Sequence, residues 1–310
     1  MIFKFTKKSF WLFLAICLFS IILAGCCKTC LLSRSELSSI KEVSSYGYQN
    51  STQLTAGNKS AVIIPYKSGE IVDYSINDEN IFNSKEPTCL LLTLDDTKAK
   101  SFPFISSTNK NGLSYKRSVD DVSVIHSFDM NFNNGDLFET YEVNNKSEKT
   151  FSSSAKLNIN LTGHGFILLP NDISIMSHNS FISSDYDEIE KCISEHEDNF
   201  IINSSKLVGH SFNVKPNSGW FAYVNKHSIL LVNYSTFTRS KIPLESKLTI
   251  SADKNGVHVT VTSNTFQIMP ESLHSKKIKY VIVELKSDVE TETEMIVALK
   301  KIGIPPLLSR

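Results

Sequence analysis

Cysteine, tryptophan, proline and glycine are all scarce: 6, 2, 9 and 12 residues in a chain of 310. Of the cysteines, only Cys89 and Cys192 lie in the body of the chain, too few for a disulfide framework. Sequence alone leaves a single Cys89–Cys192 bridge open. Neither sign of charge is in excess, with 32 basic and 32 acidic residues. A nucleic-acid footprint needs a strong basic excess, so nucleic acid is not an expected partner. There is no Gly-rich phosphate loop and no Gly-x-Ser-x-Gly elbow, and Ser218-Gly219 does not supply one. No cofactor motif is present. Internal repeats are lacking, and so are low-complexity tracts apart from a serine-rich stretch near the N-terminus. What remains is an ordinary globular composition with 10% aromatics, mostly Phe and Tyr, leaning towards β structure.

The N-terminus carries the clearest signal. Lys4, Lys7 and Lys8 form a positive segment, and Ser9 to Leu23 is apolar and uncharged. Leu23-Ala24-Gly25-Cys26 then offers small residues before a cysteine. The cationic start orients such a segment while the apolar run enters the bilayer. The pattern resembles a bacterial lipoprotein signal. That resemblance implies cleavage after Gly25, acylation of the Cys26 sulfur and anchoring at a membrane surface. An uncleaved N-terminal anchor is the alternative, although the run is short of the ~20 apolar residues that a spanning helix needs. Cleavage removes three lysines and no acid, so the net charge falls to about −3. Residue 27 is Cys rather than Asp, which by the lipoprotein sorting pattern implies the outer membrane, facing the periplasm, in a Gram-negative cell. Cys27-x-x-Cys30 sits beside the acylated terminus with no βαβ context, so a redox role is disfavoured.

Residues 26–57 read as a flexible tether, with a short helical turn near 35–43. From 58 to 302 the pattern is short strands separated by turns. Ala61–Ile64 ends at Pro65, and Ile71–Ile76 ends at Asn77-Asp78. Cys89–Leu94, Val122–Phe128, Phe138–Val143, Leu157–Leu161 and Phe166–Leu169 follow. Trp220–Val224 and Ile229–Tyr234 flank a turn. Leu248–Ser251 and Val257–Val261 flank Asp253-Lys254-Asn255-Gly256, a hairpin signal. Ile278–Leu285 closes the series. The expected fold is all-β and mainly antiparallel, a large β-sandwich. Two helices are expected beside it, a short one over 186–196 and a C-terminal one over 288–302. The second has acids in its first turn, Lys300-Lys301 at its end, and Met295, Ile296, Leu299 and Ile302 on one face for docking.

The order of these segments resembles the galactose mutarotase-like family. Asn58–Pro65 followed by Gly69–Tyr74 looks like its opening hairpin. Phe138–Lys149 resembles its strand, Asn, turn and Lys element. Asn160-Leu161-Thr162-Gly163-His164-Gly165-Phe166 is similar to the Asn-x-Thr-x-His-x-aromatic segment of aldose epimerases. Gly219–Asn225, Met269–Ser272 and Ile278–Leu285 look like later family strands. The resemblance implies a supersandwich over residues 58–302 and a carbohydrate ligand. Family epimerases pair a histidine acid with a late carboxylate base, since ring opening needs both within hydrogen-bond reach. His164 matches the acid. The matching late segment reads Val257-His258-Val259-Thr260-Val261-Thr262-Ser263, and no carboxylate occurs between Asp253 and Glu271. Glu284 lies on a later strand.

The expected reading is therefore a membrane-anchored domain that binds carbohydrate or an envelope component without catalysis. No catalytic residue is assigned. His164, Trp220 and Tyr223 are the candidate sugar contacts. An indole face stacks on a sugar ring, and an imidazole hydrogen-bonds without transferring a proton. Trp220 and Tyr223 alternate onto opposite faces, so only one of the two can line a given pocket. Each candidate also has a bland reading, a core aromatic or a turn histidine. The Glu195-His196-Glu197-Asp198 run points its side chains apart and reads as a solvated face rather than a metal site. Two alternatives stay open: an epimerase with rearranged catalytic residues, and a structural envelope lipoprotein that binds proteins through its sheet edges.

Overall fold

The computed structural model describes residues 38–65, 69–94, 105–119, 121–170, 191–196, 199–214, 219–235, 247–263 and 265–302. The first half of the chain contributes β1 (Ser38–Ser45), β2 (Tyr48–Ala56), β3 (Lys59–Ile64), β4 (Glu70–Ile76), β5 (Glu79–Asn80), β6 (Cys89–Leu94), β7 (Ile105–Thr108), β8 (Gly112–Val119), β9 (Val122–Met130), β10 (Leu137–Asn145) and β11 (Phe151–Thr162). After them come β12 (Phe166–Pro170), β13 (Ile193–His196), β14 (Asn199–Asn203), β15 (Ser211–Val214), β16 (Trp220–Val224), β17 (Ser228–Asn233), β18 (Lys247–Asp253), β19 (Gly256–Thr262), β20 (Phe266–Ile268) and β21 (Ser272–Glu284). Among the described residues there is one α-helix, α1 (Glu292–Ile302), at the C-terminal end.

The strands form three antiparallel sheets. A ten-stranded sheet runs β13-β14-β12-β16-β17-β21-β10-β9-β8-β7. A six-stranded sheet runs β15-β18-β19-β11-β20, with β6 paired to β11, and a five-stranded sheet runs β1 to β5 in order. Alternate residues of all three meet in one core. Tyr74, Phe128, Leu157, Phe221, Tyr223, Val259 and Tyr280 are among the side chains there. This is the expected all-β, mainly antiparallel sandwich with a C-terminal helix.

Turn chemistry fixes the registers. Asn77 and Asp78 both take positive φ between β4 and β5, as a two-residue hairpin of primed type requires. The Asp253 carboxylate accepts the N–H of Asn255 at 2.7 Å and of Gly256 at 3.1 Å, closing the expected β18–β19 hairpin. Gly69 enters β4 at φ +106°, where a Cβ would lie 2.5 Å from the Phe128 ring and 2.6 Å from that of Tyr115. Only glycine fits there.

Two expectations are corrected and one open question is answered. Residues 38–56, assigned to the tether with a helical turn, form β1 and β2, joined by the positive-φ pair Tyr46-Gly47. Their polarity hid an amphipathic ribbon. Leu54 and Ala56 are buried in the main core, with Ile40 packed against it, while Val43 and Tyr48 cover a small cluster of Val62, Ile64 and Val72. The segment expected as a helix over 186–196 ends as strand β13, paired to β14; its first five residues lie outside the described chain. Finally, Cys89 and Cys192 are both buried and form no disulfide. Cys192 donates to the Lys206 carbonyl at 3.2 Å, and Cys89 accepts a long contact from Asn158, so the bridge left open by sequence is not formed. Residues 1–37, including Cys26, Cys27 and Cys30, lie outside the described chain.

The outer face of the ten-stranded sheet has two halves. Over β12, β14, β16 and β17 it is apolar, and α1 covers it with Met295, Ala298 and Leu299. The helix starts four residues later than expected. Thr291 caps it through Oγ1, which accepts the Glu294 N–H at 3.3 Å, while the Glu294 carboxylate accepts the N–H of Thr291 at 2.9 Å. That is a capping box. Asp288 instead pairs outside the helix with Lys226 and His227. Over β10, β9, β8 and β7 no described helix covers the outer face.

Candidate functional site

On the uncovered half-sheet, strand register sets which side chains stand together. One row reads Lys116, Ile125, Glu142, Ser275, taken from β8, β9, β10 and β21. The next reads Ser118, Ser123, Asn144, Leu273. Successive rows on one face are about 7 Å apart and neighbouring strands about 5 Å. At the strand ends the Lys146 N–H donates to the Asp121 carbonyl at 2.8 Å, which holds the β8–β9 turn against the end of β10. All of these residues except Ser275, together with Val122, line a groove of about 460 Å³. Its floor is Ser123 and Ile125, its far wall is the exposed Leu273, and its rim is charged.

The rim charges differ from others on the same face. Lys279 binds the Asp136 carboxylate at 2.8 Å, and Lys277 lies over the Phe138 ring at 4.3 Å. Lys116, Asp121, Glu142 and Lys146 make no ion pair among the described residues. A second hollow, of about 700 Å³, separates β1 and β2 from β7 and β8, and its only charged lining residues are Lys41 and Glu42.

None of the residues picked from sequence lies in this groove. Tyr223 is fully buried in the main core and donates its O–H to the Thr162 carbonyl at 3.1 Å. Burial raises its pKa. Trp220 is on the opposite face, as alternation required, but sits in the apolar cluster beneath α1. Neither ring has an open face for a sugar, so in both cases the core reading replaces the contact reading. His164 is half-buried in the bend between β11 and β12, and its Nδ1 is buried without a hydrogen-bond partner. The Ser204 N–H and O–H both donate to the Gly165 carbonyl, and the Gly165 N–H donates back to the Ser204 Oγ. Register places the level of Gly165 beside Asn225, Ser228 and then Glu284. His164 and Glu284 are therefore about 14 Å apart across the sheet, beyond direct proton exchange. Along β21 that level is nine residues, or about 30 Å, from the groove.

Sequence reading also missed a buried polar network. Glu139 is fully buried on the inner face of β10. One carboxylate oxygen meets His126 Nε2 at 2.9 Å and accepts the Leu90 N–H at 2.9 Å; the other accepts the Tyr280 O–H at 2.6 Å. Burial, then the Glu139 charge, push the Tyr280 pKa up. The His126 ring lies tilted against those of Phe128 and Tyr141, with centroids 4.5 and 4.9 Å away. Strand alternation was the available signal, since His126 and Glu139 occupy inward positions of β9 and β10. With no exposed atom on either residue, the network ties three strands of the sheet to β6 rather than meeting a ligand. Among the described residues no group of three or more His, Cys, Asp or Glu side chains is arranged to hold a metal, and no helix is long and apolar enough to cross a membrane.

Comparison with protein-family models and with curated proteins finds no match. Solved structures do match in fold. A galactose mutarotase-like protein from Lactobacillus casei has a TM-score of 0.53 at 11% identity, over 75% of this chain and 100% of that one. One from Clostridium acetobutylicum has a TM-score of 0.51 at 11% identity, over 81% and 100%. A galactose mutarotase related enzyme from Lactobacillus acidophilus has a TM-score of 0.50 at 13% identity, over 78% and 100%. The fold is thus that of galactose mutarotase-like proteins.

Proposed function

We propose that this chain is a lipid-anchored envelope protein whose mutarotase-like domain binds carbohydrate in the groove between β8 and β21. The observation that carries the reading is the groove itself. Hydroxyl, amide and charged groups of Lys116, Ser118, Ser123, Glu142 and Asn144 converge over the apolar floor of Ile125, with Leu273 at the edge. A saccharide presents the same mixture, hydroxyls around a ring with apolar C–H faces, and the volume admits one or two rings. The mutarotase-like fold of the solved neighbours favours the same ligand class. The separation of His164 from Glu284 favours binding over epimerisation, because a base and an acid must both reach the ring.

The anchor is the acylated Cys26, with the domain facing the periplasm from the outer membrane in a Gram-negative cell. An acyl chain contributes about 0.8 kcal/mol per buried CH₂, so multiple acylation holds the chain firmly. Two experiments test the reading. Mass spectrometry of the membrane fraction should find Cys26 acylated, and Cys26→Ser should leave the chain unprocessed or soluble. Isothermal titration of a saccharide panel should give binding that Asn144→Ala and Ser123→Val weaken about tenfold. Binding that survives both substitutions would place the ligand elsewhere.

A further inference from the structure

The four groove charges form a pattern. Lys116 on β8 and Glu142 on β10 stand at one level, on either side of Ile125, with their backbones about 10 Å apart. Two rows further along, Asp121 closes the β8 side and Lys146 the β10 side, held together by the Lys146 N–H to Asp121 carbonyl bond. Going round the rim the signs read positive, negative, positive, negative. Like charges occupy the diagonals, and every edge of the groove has one ammonium and one carboxylate.

The four described rim charges sum to zero, yet none of them is neutralised by a partner among the described residues. Lysines elsewhere on this face are engaged, Lys279 by Asp136 and Lys277 by Phe138. For Lys116 and Glu142 register explains the difference: a whole strand lies between them, a gap of roughly 10 Å that a direct ion pair does not span, whereas Asp121 and Lys146 are backbone neighbours whose side chains make no ion pair among the described residues. A ligand with one sign of charge can satisfy only one end of a Lys–carboxylate edge. A ligand carrying both signs on one ring or on two linked rings bridges a Lys–carboxylate edge and satisfies both ends.

We propose that the groove selects a zwitterionic saccharide, one bearing both an amino group and a carboxylate, the carboxylate held by Lys116 or Lys146 and the ammonium by Glu142 or Asp121. This rests on the carbohydrate reading above and narrows it to a charge class. Charge complementarity on a half-exposed rim chiefly sets specificity, so its signature is a difference between ligands and a strong salt dependence.

The test uses the full chain in detergent micelles, with four probes built on one ring: glucose, glucuronic acid, glucosamine and muramic acid. Titration calorimetry at low salt should rank muramic acid at least tenfold above glucose, with the two singly charged sugars between. Raising the salt to 0.5 M should narrow the span to within threefold. Lys116→Met should remove the advantage of carboxylate-bearing probes and Glu142→Gln that of amine-bearing ones, each with an unchanged melting temperature. Equal affinity for all four sugars would overturn the charge selection and leave the carbohydrate reading standing. A clear preference for a singly charged sugar over muramic acid would also overturn it. Absence of binding by all four at millimolar concentration would overturn both.

Discussion

Glu139→Ala should be among the most damaging single substitutions in this protein, although Glu139 touches neither groove nor solvent. Its carboxylate accepts three hydrogen bonds, from His126, the Leu90 N–H and the Tyr280 O–H, at 2.6–2.9 Å, and it is fully buried. Removing it strands three buried polar groups, each costing about 1–3 kcal/mol when unsatisfied. Relaxation and partial rehydration offset some of this, and breaking a buried pair in this way typically costs about 3–5 kcal/mol. A domain has about 5–15 kcal/mol in hand, so a large share of the total is lost. Urea unfolding followed by fluorescence of the buried Trp220, with far-UV circular dichroism as a second probe, measures it. With a slope near 2 kcal/mol/M the midpoint should fall by about 1.5–2.5 M. The double variant His126→Leu/Glu139→Leu should recover at least half of the loss, because apolar side chains of similar size leave fewer orphaned groups. A Glu139→Ala cost under about 1 kcal/mol, or strictly additive losses in the double variant, would refute the view that the network is a coupled unit.

Leu299→Asp should destabilise by about 2–4 kcal/mol, since it puts an unpaired carboxylate under α1 where Leu299 is buried; an unchanged melting temperature would mean the helix does not hold its place. Thr291→Ala should cost about 1 kcal/mol by removing half of the capping box, read from thermal melts, and Thr291→Ser should restore most of it. Gly165→Ala should fail to fold or lose several kcal/mol, because its Cβ would lie 2.1 Å from the Val224 carbonyl oxygen, and both partners are backbone. His274 stacks on Phe266, and burial, then the Lys276 charge, lower its pKa to about 4. The unfolded chain, with an ordinary histidine pKa near 6.5, therefore binds more protons between about pH 4 and 6.5, and stability should rise with pH across that window. Allowing for its partial exposure, the contribution is about 1–2 kcal/mol, complete above pH 6.5 and lost as the pH falls towards 4. His274→Gln should flatten the slope, measured as urea midpoints at pH 4.5 and 7.

What was legible in the sequence was local. The strand of Val122–Phe128, the Asp253–Gly256 hairpin and the apolar face of α1 are each fixed by neighbours within a few residues, and each is present. The parity of Trp220 and Tyr223 was also legible, since alternation is a backbone property. Their depth was not: Tyr223 is buried by sheets that pack against its inner face, and Trp220 on the outer face by a helix some seventy residues away. The β1–β2 ribbon escaped notice because its sparse apolar residues are shared between two faces, with Leu54 and Ala56 buried but Ile40, Val43 and Tyr48 only partly so. The groove was invisible for a related reason. Ser118, Ser123, Glu142 and Asn144 are ordinary surface residues one by one, and only the register of four strands puts them over one floor.

Sheet geometry also explains why a groove occurs on this part of the molecule. Ten strands at about 5 Å spacing make a sheet roughly 45 Å wide. A helix of 11 residues is about 16 Å long and spans three or four of them. The covered strands hold Phe166, Leu168, Ala222, Val224, Ile229 and Leu231 on the helix side. Beyond β21 the same face turns largely polar, with Ser114, Lys116, Ser127, Thr140 and Glu142 around Ile125 and Phe138. A sheet face differs from a loop surface in that its side chains stand parallel at fixed spacing, on a backbone whose hydrogen bonds are already made. The half that no described helix covers thus presents mainly polar groups at fixed spacing, backed by a core rich in aromatics. Binding there does not have to order a loop first, which removes one of the larger costs of recognising a hydroxylated ligand.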